Sequence, residues 1–113
     1  MSPSTRPQFT WLGHATVRCD LPGGEVLLID PWLTGNPSCP VAAKDLERLD
    51  AILVTHAHSD HTGDVIPLAR RFRPRVVANF EICAWLEKHG VENTSGMNLG
   101  GTQQVLDLAV TMV

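Results

Sequence analysis

The chain has 113 residues, which allows one domain with a real but modest core. A net charge of −3 and an apolar content of 43% are those of an ordinary soluble globular protein, and they argue against a general nucleic-acid or anionic-membrane binder. The first residues, Met1-Ser2-Pro3-Ser4-Thr5-Arg6-Pro7, lack the apolar run of a signal peptide, and no stretch approaches the length of a membrane-spanning helix. A cytoplasmic protein is expected. Cys19, Cys39 and Cys83 are odd in number and lack Cys-x-x-Cys spacing, so free thiols are expected rather than a disulfide framework.

Residues 1–6 read as disordered. Phe9 to Leu12 reads as a strand, and Gly13 marks a turn that presents His14. Thr16 to Leu21 and Glu25 to Ile29 read as two strands joined by Pro22-Gly23-Gly24, a hairpin signal. Asp30 to Pro40 is a loop rich in Pro, Gly and Asn. Val41 to Leu49 reads as a short helix with Leu46 and Leu49 on one side. Ala51 to Val54 is an apolar strand. Val65, Ile66, Leu68, Ala69 and Phe72 follow helical spacing, and Pro67 requires that helix to start near Asp64. Arg75 to Ala78 is another short strand. Ile82, Trp85, Leu86 and His89 trace a second helical face, stopped by Gly90. Met97 to Leu99, Gln103 to Leu106 and Val110 to Val113 read as short strands. The mixture indicates an α/β layered fold. Val26 to Ile29 and Ala51 to Val54 are apolar without alternation, so both of their faces need cover. The two helices can cover one face, and no segment is an obvious cover for the other.

The chemistry concentrates in Thr55-His56-Ala57-His58-Ser59-Asp60-His61-Thr62-Gly63-Asp64. Three histidines and one aspartate fall within six residues, directly after the Ala51 strand. Imidazole and carboxylate are the usual protein ligands of zinc and similar divalent ions. Residues two apart in an extended segment point the same way, so His56 and His58 can converge on one metal. A tight turn after Ser59 can aim Asp60 and His61 at a second. One histidine alone would read as a polar loop residue; this spacing favours two adjacent divalent metals.

The same stretch resembles the signature of the metallo-β-lactamase-fold hydrolases. Thr10-Trp11-Leu12-Gly13-His14-Ala15-Thr16 is similar to that family's opening strand and turn, and Leu28-Ile29-Asp30-Pro31-Trp32-Leu33-Thr34-Gly35-Asn36-Pro37 to its second motif. Together they resemble the branch related to the ascorbate-6-phosphate lactonase-like proteins. The resemblance implies an αββα sandwich of two similar halves. Residues 7–113 look like the N-terminal half: a mixed β-sheet with helices on one face, apparently truncated. Members are about twice as long, and no counterpart of their later histidines and bridging aspartate is present. An apolar sheet face and an unpaired edge would then drive self-association or pairing with a C-terminal half.

The resemblance also implies roles. His56 and His58 hold the first metal; Asp60 and His61 hold the second. The metals are zinc by preference, with manganese, iron or nickel open, since these ligands do not choose among them. Asp60 is also the candidate to orient the nucleophile or take its proton, though a plain ligand role is simpler. Asp30 is expected to support the histidine loop by a hydrogen bond. His14 is either a support of the same kind, a substrate contact, or a turn residue bonded to backbone. Trp32, Thr34 and Asn36 are weaker candidates for substrate contact. Arg70, Arg71, Arg73 and Arg75 form a short basic run that reads as a solvated helix end rather than a nucleic-acid contact.

The function so implied is metal-dependent hydrolysis of a small ester, lactone or phosphate-containing substrate by a metal-activated water; as a fragment the chain is expected to be inactive unless its site is completed. Two rivals remain: a non-catalytic metal-binding or self-associating module, and a nuclease of the same superfamily.

Overall fold

The structure is a computed structural model and describes residues 6–113, without the side chains of residues 42 and 43. The disorder expected for residues 1–6 therefore falls, Arg6 aside, outside the described residues. Six strands form one sheet in the order β1 (Gln8–Trp11), β2 (Val17–Asp20), β3 (Val26–Ile29), β4 (Ala51–Leu53), β5 (Arg75–Asn79), β6 (Thr94–Met97). β1, β2 and β3 run antiparallel, and β3 through β6 run parallel. The sheet is mixed, as the sequence indicated.

Local chemistry explains the connections. The β2–β3 turn closes through Leu21 N–H to Glu25 O and Gly24 N–H to Leu21 O, both 2.9 Å, with Gly24 at φ 95°. Parallel neighbours need crossovers. α1 (Ser59–Thr62) and α2 (Val65–Phe72) supply the one from β4 to β5, and α3 (Phe80–Lys88) the one from β5 to β6. α2 starts where Pro67 requires, with Pro67 in its first turn. Asn79 caps α3 by accepting from Ile82 N–H at 2.8 Å.

Both faces of the central strands are buried. Leu28, Ile52 and Val76 pack against Val65 and Leu68 of α2 and Ile82 and Leu86 of α3. Leu27, Ala51 and Val77 pack on the opposite side with Val105, Leu108 and Val110. Those residues belong to a hairpin, β7 (Thr102–Val105) and β8 (Leu108–Thr111). The expectation that nothing covers the second face is thus corrected: a two-stranded sheet lies over it. The cover is partial. Ile29, Leu53, Met97 and Met112 border an apolar cleft of about 240 Å³ beside the hairpin.

Other differences have local causes. The helix expected over 41–49 is only a 3-10 turn, Val41–Lys44. The run is too short to propagate, and Leu46 and Leu49 instead anchor an irregular segment in the core. α3 buries Ile82, Cys83 and Leu86, whereas Trp85 is exposed and stacks on His89 at 4.9 Å. The last three strands lie one to three residues earlier than expected. Leu106 and Asp107 form a two-residue hairpin turn, and Leu106 takes a positive φ of 53° without being glycine, asparagine or aspartate. The basic run is dispersed into separate tasks. Arg75 donates to Ser95, Gln103 and the Gln104 carbonyl; Arg70 donates to the His89 carbonyl; Arg71 lies over Phe72 at 4.6 Å.

The start of β4 is clamped to β3 by Asp50. Its carboxylate accepts Val26 N–H at 2.8 Å and Arg48 Nε–H at 2.8 Å. Burial raises the Asp50 carboxyl pKa, but the bonds from Arg48 and Val26 outweigh burial and leave it below its ordinary value. A depressed pKa in the fold contributes stability above the unfolded-state value, about 3.9, and loses it as pH falls through the lower folded-state value. Asp50→Ala should lower unfolding free energy by about 1.5–3 kcal/mol at pH 7 in urea titration. The gap between variant and wild type should shrink below pH 4; a gap that stays constant down to strongly acidic pH would refute the clamp.

Candidate metal centre

Parallel strands collect their C-terminal ends on one edge of a sheet, and sites form in the loops beyond them. β3 and β4 pair Ile29 with Leu53, so Asp30 and the histidine segment leave the sheet side by side. Asp30 N–H donates to Leu53 O at 2.9 Å and continues the ladder one step past the strand.

Asp30 is 2% exposed and sits at φ 48°, a left-handed conformation that Asp tolerates better than most residues. Three donors converge on its carboxylate. Thr55 N–H reaches Oδ1 at 2.7 Å; the Thr55 hydroxyl reaches Oδ2 at 2.5 Å; His61 Nδ1 lies 2.9 Å from Oδ2. Hydrogen-bond balance then assigns the rings. His61 carries its proton on Nδ1, which leaves the Nε2 lone pair free. The Thr55 hydroxyl gives its one hydrogen to Asp30, so at 2.8 Å from His56 Nδ1 it must accept. His56 is thereby protonated on Nδ1, and its Nε2 is an acceptor. That Nε2 faces His58 Nδ1 at 3.1 Å.

The turn after Ser59 is the helix α1, with His58 as its N-cap residue; His61 N–H and Thr62 N–H both donate to His58 O. It brings Asp60 and His61 back over the loop. His61 is central: its ring centroid lies 4.0 Å from that of His56, 5.1 Å from His14 and 6.4 Å from His58. The separate ligand pairs expected from spacing are therefore joined through His61. Asp60 Oδ1 is 3.8 Å from His61 Nε2, and Asp60 Oδ2 is 2.9 Å from His14 Nε2.

A second layer holds the 31–40 loop against this cluster. Thr16, fully buried, donates to Asp30 O at 2.7 Å and accepts from Trp32 N–H at 3.1 Å. Asn36, 2% exposed, donates to Gly13 O and Trp32 O and accepts from Ser38 N–H. The substrate-contact role considered for Asn36 is corrected: its amide is consumed by backbone. The Asp64 carboxylate accepts from Leu33 N–H at 2.6 Å, Thr34 N–H at 3.0 Å and the Thr34 hydroxyl at 3.0 Å. Thr34 is thus engaged too. Trp32 is half-buried over Gly63, where a Cβ would lie 2.9 Å from its Cδ1, and meets His14 edge-on at 5.6 Å. Sequence reasoning missed Thr16, Asn36 and Asp64 as supports. Only the last had a signal, its place in the histidine stretch, and there it read as a helix start. Cys39 is buried and bonded to the Pro40 carbonyl; burial pushes its thiol pKa up, so it is not poised as a nucleophile.

The donor set fits divalent metal ions. Two groups of potential ligands lie with their atoms within 4.8 Å of one another: His14, Asp60 and His61; and Asp30, His56 and His61. In the second group Asp30 acts as a support, because its oxygens already take three hydrogen bonds and it is nearly inaccessible. His56 Nε2 and His58 Nδ1 lie 3.1 Å apart, a spacing that two ligand atoms of one ion can adopt, and His61 Nε2 lies 3.8 Å from Asp60 Oδ1. An outer-layer partner that orients a ligand ring is what metal sites use.

Comparison with known proteins agrees with this geometry. A UPF0173 metal-dependent hydrolase of Koribacter versatilis is 52% identical over 106 residues, covering 94% of this chain and 46% of the relative. The chain therefore spans about half the length of the curated relatives it matches. Igni18, a metallo hydrolase from the hyperthermophilic archaeon Ignicoccus hospitalis, superposes with a TM-score of 0.77 at 31% identity, covering 89% of this chain and 43% of that one. CmlA, a diiron β-hydroxylase from Streptomyces venezuelae, shares the fold at a TM-score of 0.68 and 23% identity, over 87% of this chain and 22% of its own. The profile of the metallo-beta-lactamase superfamily matches residues 13–108, and the chain belongs to that superfamily.

Proposed function

We propose that this chain carries the histidine half of a two-metal hydrolytic site acting on a small ester, lactone or phosphate-containing substrate. The observation that carries the reading is the Asp30–Thr55 network. It sets the tautomers of His56 and His61 and turns their Nε2 atoms toward His58 and Asp60. Relatives named metal-dependent hydrolases support it. In this reading His56 and His58 hold one ion, and Asp60 and His61 the other, zinc in preference to manganese, iron or nickel. When bound, such a pair supplies a water acidified to near neutrality and a Lewis acid for the carbonyl or phosphoryl oxygen under attack.

The chain's own residues do the rest. Asp30 holds the His61 ring in place. Thr55 does the same for His56. Asp60, half-exposed at the mouth, is the carboxylate positioned to orient a nucleophile and receive its proton. Trp32 forms an apolar wall beside His14. We assign the apolar cleft beside the β7–β8 hairpin to the second half that the longer relatives possess, or to another copy of this chain. The three buried free thiols support a reducing compartment, the cytoplasm; among the described residues no helix is long and apolar enough to cross a membrane.

A second reading, a metal-binding module without catalysis, is favoured by one observation: catalytic zinc usually has three protein ligands, and His56 and His58 alone offer two.

Two measurements test these readings. The zinc-loaded chain, with its site completed by a second copy or by a C-terminal half, should hydrolyse at least one of a panel of aryl esters, lactones and phosphodiesters, and both a chelator and His58→Ala should abolish turnover. Metal retention without turnover would hand the function to the module reading. Asp30→Asn should weaken metal retention by roughly 10–100-fold, measured by competition with a chromogenic chelator; wild-type retention would remove Asp30 from the site.

A further inference from the structure

His14 lies far from the histidine cluster in sequence, yet the fold delivers it there under strain. It takes φ 53°, directly after Gly13 at φ 105°. A left-handed conformation is uncommon for a residue with a side chain, although histidine enters it more readily than most, and it persists where the surroundings fix it. Here they do. A Cβ on Gly13 would lie 2.7 Å from Asn36 Oδ1, Asn36 grips the Gly13 carbonyl, and Trp11 Nε1–H donates to the His14 carbonyl at 2.8 Å. The arrangement places His14 Nε2 at 2.9 Å from Asp60 Oδ2.

As an ion pair that contact is a poor return. The two side chains are 44% and 45% exposed, and exposed pairs of that kind contribute little to stability. As a metal site the arrangement makes sense. Donor atoms around one zinc, with bonds of about 2.0–2.2 Å, lie roughly 3–4 Å apart. The His14–Asp60 and Asp60–His61 separations of 2.9 and 3.8 Å fall around that range. The His14 and His61 rings meet edge to face with centroids 5.1 Å apart, and Trp32 backs His14.

We infer that His14 is a third protein ligand, with Asp60 and His61, of one of the two metals. The inference rests on the two-metal reading above and sharpens it. Three protein ligands plus water is the usual catalytic zinc complement. The ion at His14, Asp60 and His61 is then fully provided for by this chain, while the ion at His56 and His58 is not. The chain by itself should bind one zinc tightly and a second weakly.

The test is zinc titration of the metal-stripped 113-residue chain by calorimetry, with His14→Asn and His58→Ala variants. Asparagine tolerates the left-handed backbone, so His14→Asn keeps the turn, and thermal unfolding of the stripped proteins checks this. The expected result is loss of the tight event in His14→Asn by more than about 100-fold, beyond the 10–100-fold that removal of an orienting partner produces. His58→Ala should keep the tight event. In 15N-histidine-labelled wild type, one equivalent of zinc should move the Nε2 resonance of His14. If His14→Asn binds as wild type does, or loses only 10–100-fold with the His14 resonance unmoved, the inference is overturned and the hydrolase reading stands. If the wild type binds no zinc at all, both fall.

Discussion

Asp30 leaves the sheet at the end of β3, buried and left-handed, and receives the Thr55 amide, the Thr55 hydroxyl and His61 Nδ1 on two oxygens. A buried carboxylate is tolerable only when its lone pairs are met, and these three donors meet them. The same bonds orient the histidine loop. The fold's requirement to satisfy a buried charge and the site's requirement for fixed rings are therefore solved by one set of contacts. Since adjacent parallel strands place residues 30 and 54–56 next to each other, the arrangement depends on the β3–β4 register. A slip of one residue would turn Asp30 to the wrong face.

The surrounding loops behave as a second tier of the same structure. Thr16, Asn36 and Asp64 hold three separate segments by hydrogen bonds to backbone groups. Their effect is to keep Gly13, His14 and Trp32 where packing alone would not hold a loop rich in proline and glycine. Such loops carry function when a rigid scaffold positions them, and here buried polar side chains supply the rigidity.

Membership of the metallo-beta-lactamase superfamily sets the architecture and not the reaction. The same fold appears in a protein described as a diiron β-hydroxylase and in one described as a metallo hydrolase. What distinguishes such proteins is the ligand set and the walls around it. In this chain the His14 turn and Trp32 lie beside Asp60 and His61.

Much of the site was legible in the amino-acid sequence. The His-x-His-x-Asp-His spacing, the apolar strand before it, and the Asp-Pro step at residues 30–31 are local features, and local features can be read from one chain. The mixed α/β class and the start of α2 at its proline were legible for the same reason. Other features depended on segments remote in sequence. Val105, Leu108 and Val110 cover a sheet face that seemed bare because their hairpin turns at Leu106 and Asp107, without a turn-forming glycine. Asn36 looked like a pocket residue until its amide met the Gly13 and Trp32 carbonyls. The placement of His14 against Asp60 needed the whole sheet. The sequence alone determined which side chains could bind metal and which strands needed burial, because spacing and hydrophobicity are properties of neighbours along the chain. Only the tertiary structure decided which of those side chains meet, because strand register and buried hydrogen bonds join residues that the sequence keeps apart.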